Sequence, residues 1–159
     1  MTYVGGWGFT VGDLGSGARI GHALQETLLA YDGIHDMSAM TASVLAEFKN
    51  DPRNIVEFAR QAKPGAFGRY APRVFEHMKQ GDAVAARLLQ EAAVSVDEAL
   101  DRLVARGTQK ICLLGGLGSL YSSWIAARHQ SLLVTPEGDA LSGAVALAVS
   151  RFGHLKAIE

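Results

Sequence analysis

Apolar residues recur at helical spacing through most of the first hundred positions. Ile20, Ala23, Leu24, Thr27, Leu28 and Tyr31 form one stripe, which predicts a helix over 16–31. Ser16 suits its N-cap, and Asp32-Gly33 suits its stop. A shorter helix follows Ser38, with Met40, Val44, Leu45 and Phe48 as inward positions. Asp51-Pro52 reads as N-cap plus first helical residue, opening a helix through Ile55, Phe58, Ala59 and Ala62 that stops at Pro64-Gly65. Phe67, Tyr70, Val74, Phe75 and Met78 continue the pattern. Pro72 divides it into a short turn of helix and a longer one ending near Gly81. Asp82 caps the longest helix, 83–106, striped by Ala85, Leu88, Leu89, Ala92, Val96, Ala99, Leu100, Leu103 and Val104, and Gly107 closes it. These helices read as a structural layer with one packed face and need no functional explanation.

After Gly107 the pattern changes. Ile111, Cys112, Leu113 and Leu114 form a short continuous apolar run, the mark of a buried parallel strand. Gly115-Gly116-Leu117-Gly118-Ser119 follows at once, then a predicted helix over 120–127 and a second strand over 132–135. Pro136-Glu137-Gly138-Asp139 turns the chain into a last helix rich in Gly143, Ala144, Ala146 and Ala148. A strand-helix-strand-helix unit with glycines at its carboxyl edge is where ligands of open α/β sheets bind. The fold class expected is therefore α/β and helix-rich.

The chain has 159 residues and a formal net charge of −1. That length suits one domain, or one lobe of something larger, and chains of this size bury roughly 70% of their unfolded surface. The balanced charge leaves no electrostatic footprint for nucleic acid or anionic lipid. No apolar run reaches the roughly 18 residues of a membrane helix, and no signal-peptide pattern opens the chain, so a cytoplasmic protein is expected. One cysteine, Cys112, excludes an internal disulfide and a cysteine-ligated cluster within one chain. His22, His35, His77, His129 and His154 show no ligand-like spacing, so no metal site is expected. Ser16, Ser119 and Ser122 lie outside any nucleophile elbow.

The chemistry gathers in two glycine-rich loops. The first, residues 5–21, reads GGWGFTVGDLGSGARIG after a strand-like entry at Thr2, Tyr3 and Val4. Such a loop brings backbone amides close to a polar ligand. Asp13 has no basic sequence neighbour. Its carboxylate could accept bonds from two sugar hydroxyls, which are strong because one partner is charged. Equally, it could complement a helix dipole. Trp7 could wall a sugar ring or fill a core. The second loop, Gly115 to Ser119, fits neither a Walker A loop nor a dinucleotide fingerprint, and reads equally as a ligand loop or a tight strand-to-helix turn.

Taken together, the two loops resemble those of the BadF/BadG/BcrA/BcrD-type ATPase family, which includes bacterial glucosamine kinases and N-acetylglucosamine kinases. That family reads GGWG, then GDEGSG and a helix; here the second part is Gly12-Asp13-Leu14-Gly15-Ser16-Gly17. Further likeness lies in Ala71-Pro72-Arg73-Val74-Phe75, Gly81-Asp82, Leu113-Leu114-Gly115-Gly116-Leu117-Gly118, Pro136-Glu137-Gly138-Asp139-Ala140 and Gly143-Ala144. The resemblance implies the actin/hexokinase/Hsp70-like (ribonuclease H-like) ATPase fold, with residues 1–159 forming a single C-terminal kinase lobe. It implies that Gly6, Trp7 and Asp13 touch the amino sugar, and that Gly115, Gly116, Gly118 and Ser119 hold the adenosine of ATP. ATP with Mg²⁺ is the implied cofactor of the full-length enzyme, and a homo-oligomer is expected from apolar surface left uncovered. Leu14 departs from the family's glutamate. The family's N-terminal lobe, with its first phosphate loop, metal-binding aspartate and general base, has no counterpart in these residues, so no catalytic residue is expected among them. Two other readings stay open: an ATPase activator of a CoA-ester dehydratase or reductase, disfavoured by a Cys112 expected to be buried, and a non-enzymatic sugar- or nucleotide-binding module.

Overall fold

The computed structural model describes residues 3–153, so Thr2 and His154 lie outside them. The chain divides into two compact units, Met1–Gly107 and Thr108–Glu159. The first holds helices α1 (Gly17–Ile20), α2 (Ala23–Tyr31), α3 (Ala39–Glu47), α4 (Pro52–Gln61), α5 (Pro64–Gly68), α6 (Ala71–Lys79) and α7 (Ala83–Val104).

Side-chain caps set most of these boundaries. Ser16 Oγ accepts from the Arg19 amide at 3.2 Å, and Asp51 from the Arg53 amide at 2.9 Å with Pro52 in the first turn. Ser38 and Thr41 form a reciprocal capping box on α3. Asp82 does more than its sequence position suggests. One carboxylate oxygen accepts from Ala85 N at 3.0 Å, capping α7, while the other accepts from Met40 N at 2.8 Å in the first turn of α3. Burial pushes its pKa up, but these amides, with the Ser38 hydroxyl, outweigh burial and hold it below the ordinary value.

Where one helix was expected over 16–31, the chain bends at Gly21. A Cβ on Gly21 would lie 2.1 Å from the carbonyl oxygen of Phe67, so α5 packs backbone to backbone against the bend. Leu24, Val44, Leu45, Ile55 and Tyr70 form the core behind it, flanked by Leu28, Phe48, Phe58 and Phe67. Rings run through this core in contact: Phe9 on Phe67 at 5.2 Å, Phe67 on Phe58 at 5.9 Å, and Phe58 on Phe48 at 5.6 Å. The buried Glu26 of α2 accepts from Arg87 of α7 at 2.5 Å and pairs with His35 at 2.9 Å. The expected helical layer is present, with α7 packed on α6 and touching α1 and α2.

The second unit departs further from expectation. The two predicted strands pair in parallel, but only through one bridge, Ile111 to Leu133, with bonds Ile111 N–Leu132 O and Val134 N–Ile111 O, both 2.8 Å. Neither segment extends into a regular strand. Leu114 and Val134 are exposed, and so is Cys112, against the buried thiol expected. The helix predicted over 120–127 is instead two single turns, α8 (Gly118–Tyr121) and α9 (Ala127–Gln130). Asp139 caps α10 (Ala140–Phe152) through the Ser142 amide at 2.7 Å. That apolar helix has no buried residue. Among the described residues, no helix is long and apolar enough to cross a membrane.

Candidate functional site

The first glycine-rich loop forms one wall of a groove of about 940 Å³ within the first unit. Gly5, Gly6, Trp7, Gly12, Asp13 and Leu14 lie on the loop side. Ser95, Glu98, Ala99, Asp101 and Arg102 of α7 lie opposite. All three loop residues implied to touch sugar, Gly6, Trp7 and Asp13, therefore line one concave surface.

The structure bears on the structural alternative for Trp7 and for Asp13. Trp7 is 78% exposed, so it does not fill a core. Asp13 does not cap α1, because Ser16 does. Among the described residues no hydrogen bond uses the Asp13 carboxylate, while its backbone carbonyl accepts from Ser16 N at 2.9 Å. The residue is half-buried with φ of +54°, a left-handed conformation uncommon for a side-chain-bearing residue. A carboxylate held there, in a groove, with both oxygens available, is suited to accepting bonds from vicinal hydroxyls.

The loop is anchored from behind. Arg19 of α1 donates from Nε to the Gly12 carbonyl at 3.1 Å, and its guanidinium sits 5.6 Å over the Phe9 ring. Phe9 in turn stacks on Phe67 and meets His22 edge-on at 6.3 Å. Burial, then the Arg19 charge, hold His22 below the usual imidazole range, so the neutral ring can accept from Arg19 Nη1 at 3.5 Å. Neither Phe9 nor Arg19 stood out in the sequence. Nor did the groove-facing positions of α7, whose i, i+3, i+7 spacing at 95, 98 and 102 is also that of an ordinary solvated face.

The second loop belongs to the other unit. Gly115 has φ of +89°, and a Cβ on buried Gly118 would lie 2.9 Å from the Leu113 carbonyl oxygen. Close backbone approach therefore accounts for Gly118. Gly116 has open space around it, and Ser119 is exposed with its carbonyl accepting from Ser122 Oγ at 2.6 Å. Gly115, Gly116, Gly118 and Ser119 lie together at one turn leading into α8. Among the described residues, no cluster of three or more histidine, cysteine, aspartate or glutamate side chains could hold a metal ion. These residues do not fit a self-contained Mg²⁺ site.

No family model matches the chain. It is similar to the glucosamine kinase GspK of Vibrio cholerae, 34% identical over 146 residues, covering 91% of this chain and 50% of that protein. It is also similar to the N-acetyl-D-glucosamine kinase of Dictyostelium discoideum, 26% identical over 107 residues, covering 64% of this chain and 34% of that one. A crystal structure of a Chromobacterium violaceum protein assigned as an N-acetylglucosamine kinase superposes with a TM-score of 0.81 at 34% identity, covering 90% of this chain and 50% of the other. The likeness to amino-sugar kinases read from the two loops is borne out, and the helix-rich architecture matches a kinase of actin-like ATPase fold. The chain spans about half the length of the relatives it matches most fully.

Proposed function

We propose that these residues form the C-terminal, sugar-gripping lobe of an ATP-dependent kinase acting on glucosamine or N-acetylglucosamine. The observation that carries the reading is Asp13: a carboxylate that makes no hydrogen bond among the described residues, beside an exposed Trp7, in a groove under a glycine-rich loop. In this reading Asp13 accepts from sugar hydroxyls, Trp7 walls the ring, and the amide-rich backbone at Gly6 approaches it. The Gly115–Ser119 turn, with Gly116 open, packs on the adenosine of ATP. The sugar 6-hydroxyl attacks the γ-phosphorus, its bond to the bridging oxygen breaks, ADP leaves, and the hydroxyl proton passes to a base outside this stretch. Phosphoryl transfer depends on positioning and charge neutralisation at the phosphates, which the residues here do not supply alone.

The protein is proposed to act in the cytoplasm. Self-association is proposed too, because α10 leaves Leu141, Val145, Val149 and Phe152 exposed. Light scattering at micromolar concentration should give a dimer or larger; a monodisperse monomer would overturn self-association only. The function itself is tested by calorimetry of the 159-residue chain with glucosamine, N-acetylglucosamine and mannitol, and by an ADP-release assay. Saturable binding of an amino sugar with background ADP release is expected. Indifference to all three polyols would sink the reading.

A further inference from the structure

We propose that Arg19 is the positioning residue of this site: by holding the Gly12 carbonyl it fixes the backbone of Asp13, and with it the direction of the carboxylate. The φ and ψ of Asp13 are the rotations of the two peptide groups that flank it. The carbonyl of the first, Gly12 O, accepts from Arg19 Nε at 3.1 Å. The carbonyl of the second, Asp13 O, accepts from Ser16 N at 2.9 Å. With both peptide planes held, Asp13 remains at φ +54°, a conformation that a side-chain-bearing residue rarely adopts unless its surroundings impose it.

The same contact reaches Trp7. The Cβ position of Gly12 lies 3.1 Å from Trp7 Cβ and 3.3 Å from the Gly8 carbonyl oxygen, so Gly12 is the point where the two arms of the loop touch. Tethering its carbonyl sets the spacing between Trp7 and Asp13. Arg19 is itself held in place: its guanidinium lies over Phe9, Phe9 stacks on Phe67, and Nη1 approaches His22. Lysine cannot reproduce this, because the bond uses Nε–H within a planar fork that also covers the ring. Arg19 thus works through the loop backbone and needs no contact with ligand.

The test uses the 159-residue chain with Arg19→Ala, Arg19→Lys, Asp13→Ala and the double variant Asp13→Ala/Arg19→Ala. Two readouts are taken, the Asp13 and Gly12 backbone carbon shifts by NMR and the affinity for glucosamine and N-acetylglucosamine. In Arg19→Ala the Asp13 shifts are expected to lose their left-handed signature while the thermal midpoint stays within about 4 °C. Amino-sugar affinity should fall about tenfold, Arg19→Lys should not restore it, and the double variant should bind no more weakly than Asp13→Ala, since coupled positions are not additive. Unchanged Asp13 shifts in Arg19→Ala, or independent and additive losses, overturn the proposal. The affinity arm rests on the sugar-site reading; the NMR arm does not. A chain that binds no amino sugar would therefore refute that reading while the shifts still decide the role of Arg19.

Discussion

The two glycine-rich loops look alike on paper and are built differently. The first, in residues 5–21, is braced by side chains: Arg19 on Gly12, Phe9 on Phe67, and Ser16 on the α1 amide. The second, residues 115–119, closes on its own backbone where Gly118 meets Leu113, and a Cβ on Gly116 would stand in open space. The units that carry them differ in the same way. The first has capped helices around a ring-filled core, whereas the second, among the described residues, buries Ile111, Tyr121, Ile125 and His129, pairs its segments through one parallel bridge, and carries a final helix with no buried residue. A loop can hold a strained acid in place only if the surrounding unit pays the conformational cost. In the first unit that packing is present, with Leu24, Val44, Leu45, Ile55 and Tyr70 at its centre.

That contrast is open to direct attack, beginning where the effects are largest. Ile55→Ala, at 1% exposure in the first core, should cost about 2–5 kcal/mol in urea unfolding. Val145→Ala on the exposed face of α10 should stay within about 0.5 kcal/mol in the monomer, measured at a concentration too low for self-association. A large loss at Val145 would show that α10 is packed.

Next in size is Asp82, which serves two helices at once. Replacing it with Ala should cost about 1–2 kcal/mol or somewhat more by urea titration, because the amides of Ala85 and Met40 both lose an acceptor. Its pKa is held low in the folded protein, so the charged form stabilises the fold. That contribution is fully present above the unfolded carboxylate value, about 3.9, and is lost as pH falls through the folded one. The acid limb of stability should accordingly be flatter in Asp82→Asn than in the parent. An identical limb would remove Asp82 from the account.

Gly118→Ala should cost about 1–3 kcal/mol and disturb the second loop, since its Cβ would strike the Leu113 carbonyl. Gly116→Ala, in open space, should leave the fold unchanged. ATP titration of both variants separates shape from contact: if Gly116 faces nucleotide, its variant binds ATP less well without loss of stability. Tyr70→Phe should cost about 1 kcal/mol by the same urea unfolding, because the hydroxyl donates to Glu47 at 3.0 Å. Burial, with that carboxylate, pushes the Tyr70 pKa to about 12, which spectrophotometric titration can check.

The sequence exposed what depends on neighbours three or four residues away. Ser16, Ser38, Asp51, Asp82 and Asp139 all sit at helix N-caps, because a cap is a local contest between a side chain and the next amides. The break at Gly21 was hidden, since its cause is a carbonyl 46 positions on, at Phe67. The strands were overcalled for a related reason. An apolar run such as Ile111 to Leu114 becomes regular strand only with partners on its edges, and its composition does not say whether they exist. In the site, Asp13 and Trp7 were visible as unusual residues among glycines. The α7 wall was not, because Glu98 and Arg102 resemble any exposed helix charges until the loop is placed across from them.

The most direct test of the account is calorimetric titration of the parent chain and Asp13→Ala with glucosamine and N-acetylglucosamine. The account predicts saturable binding by the parent and a loss of roughly 10- to 100-fold on removing the carboxylate, the size expected for hydrogen bonds to a charged acceptor. Equal affinity in the two proteins would contradict it.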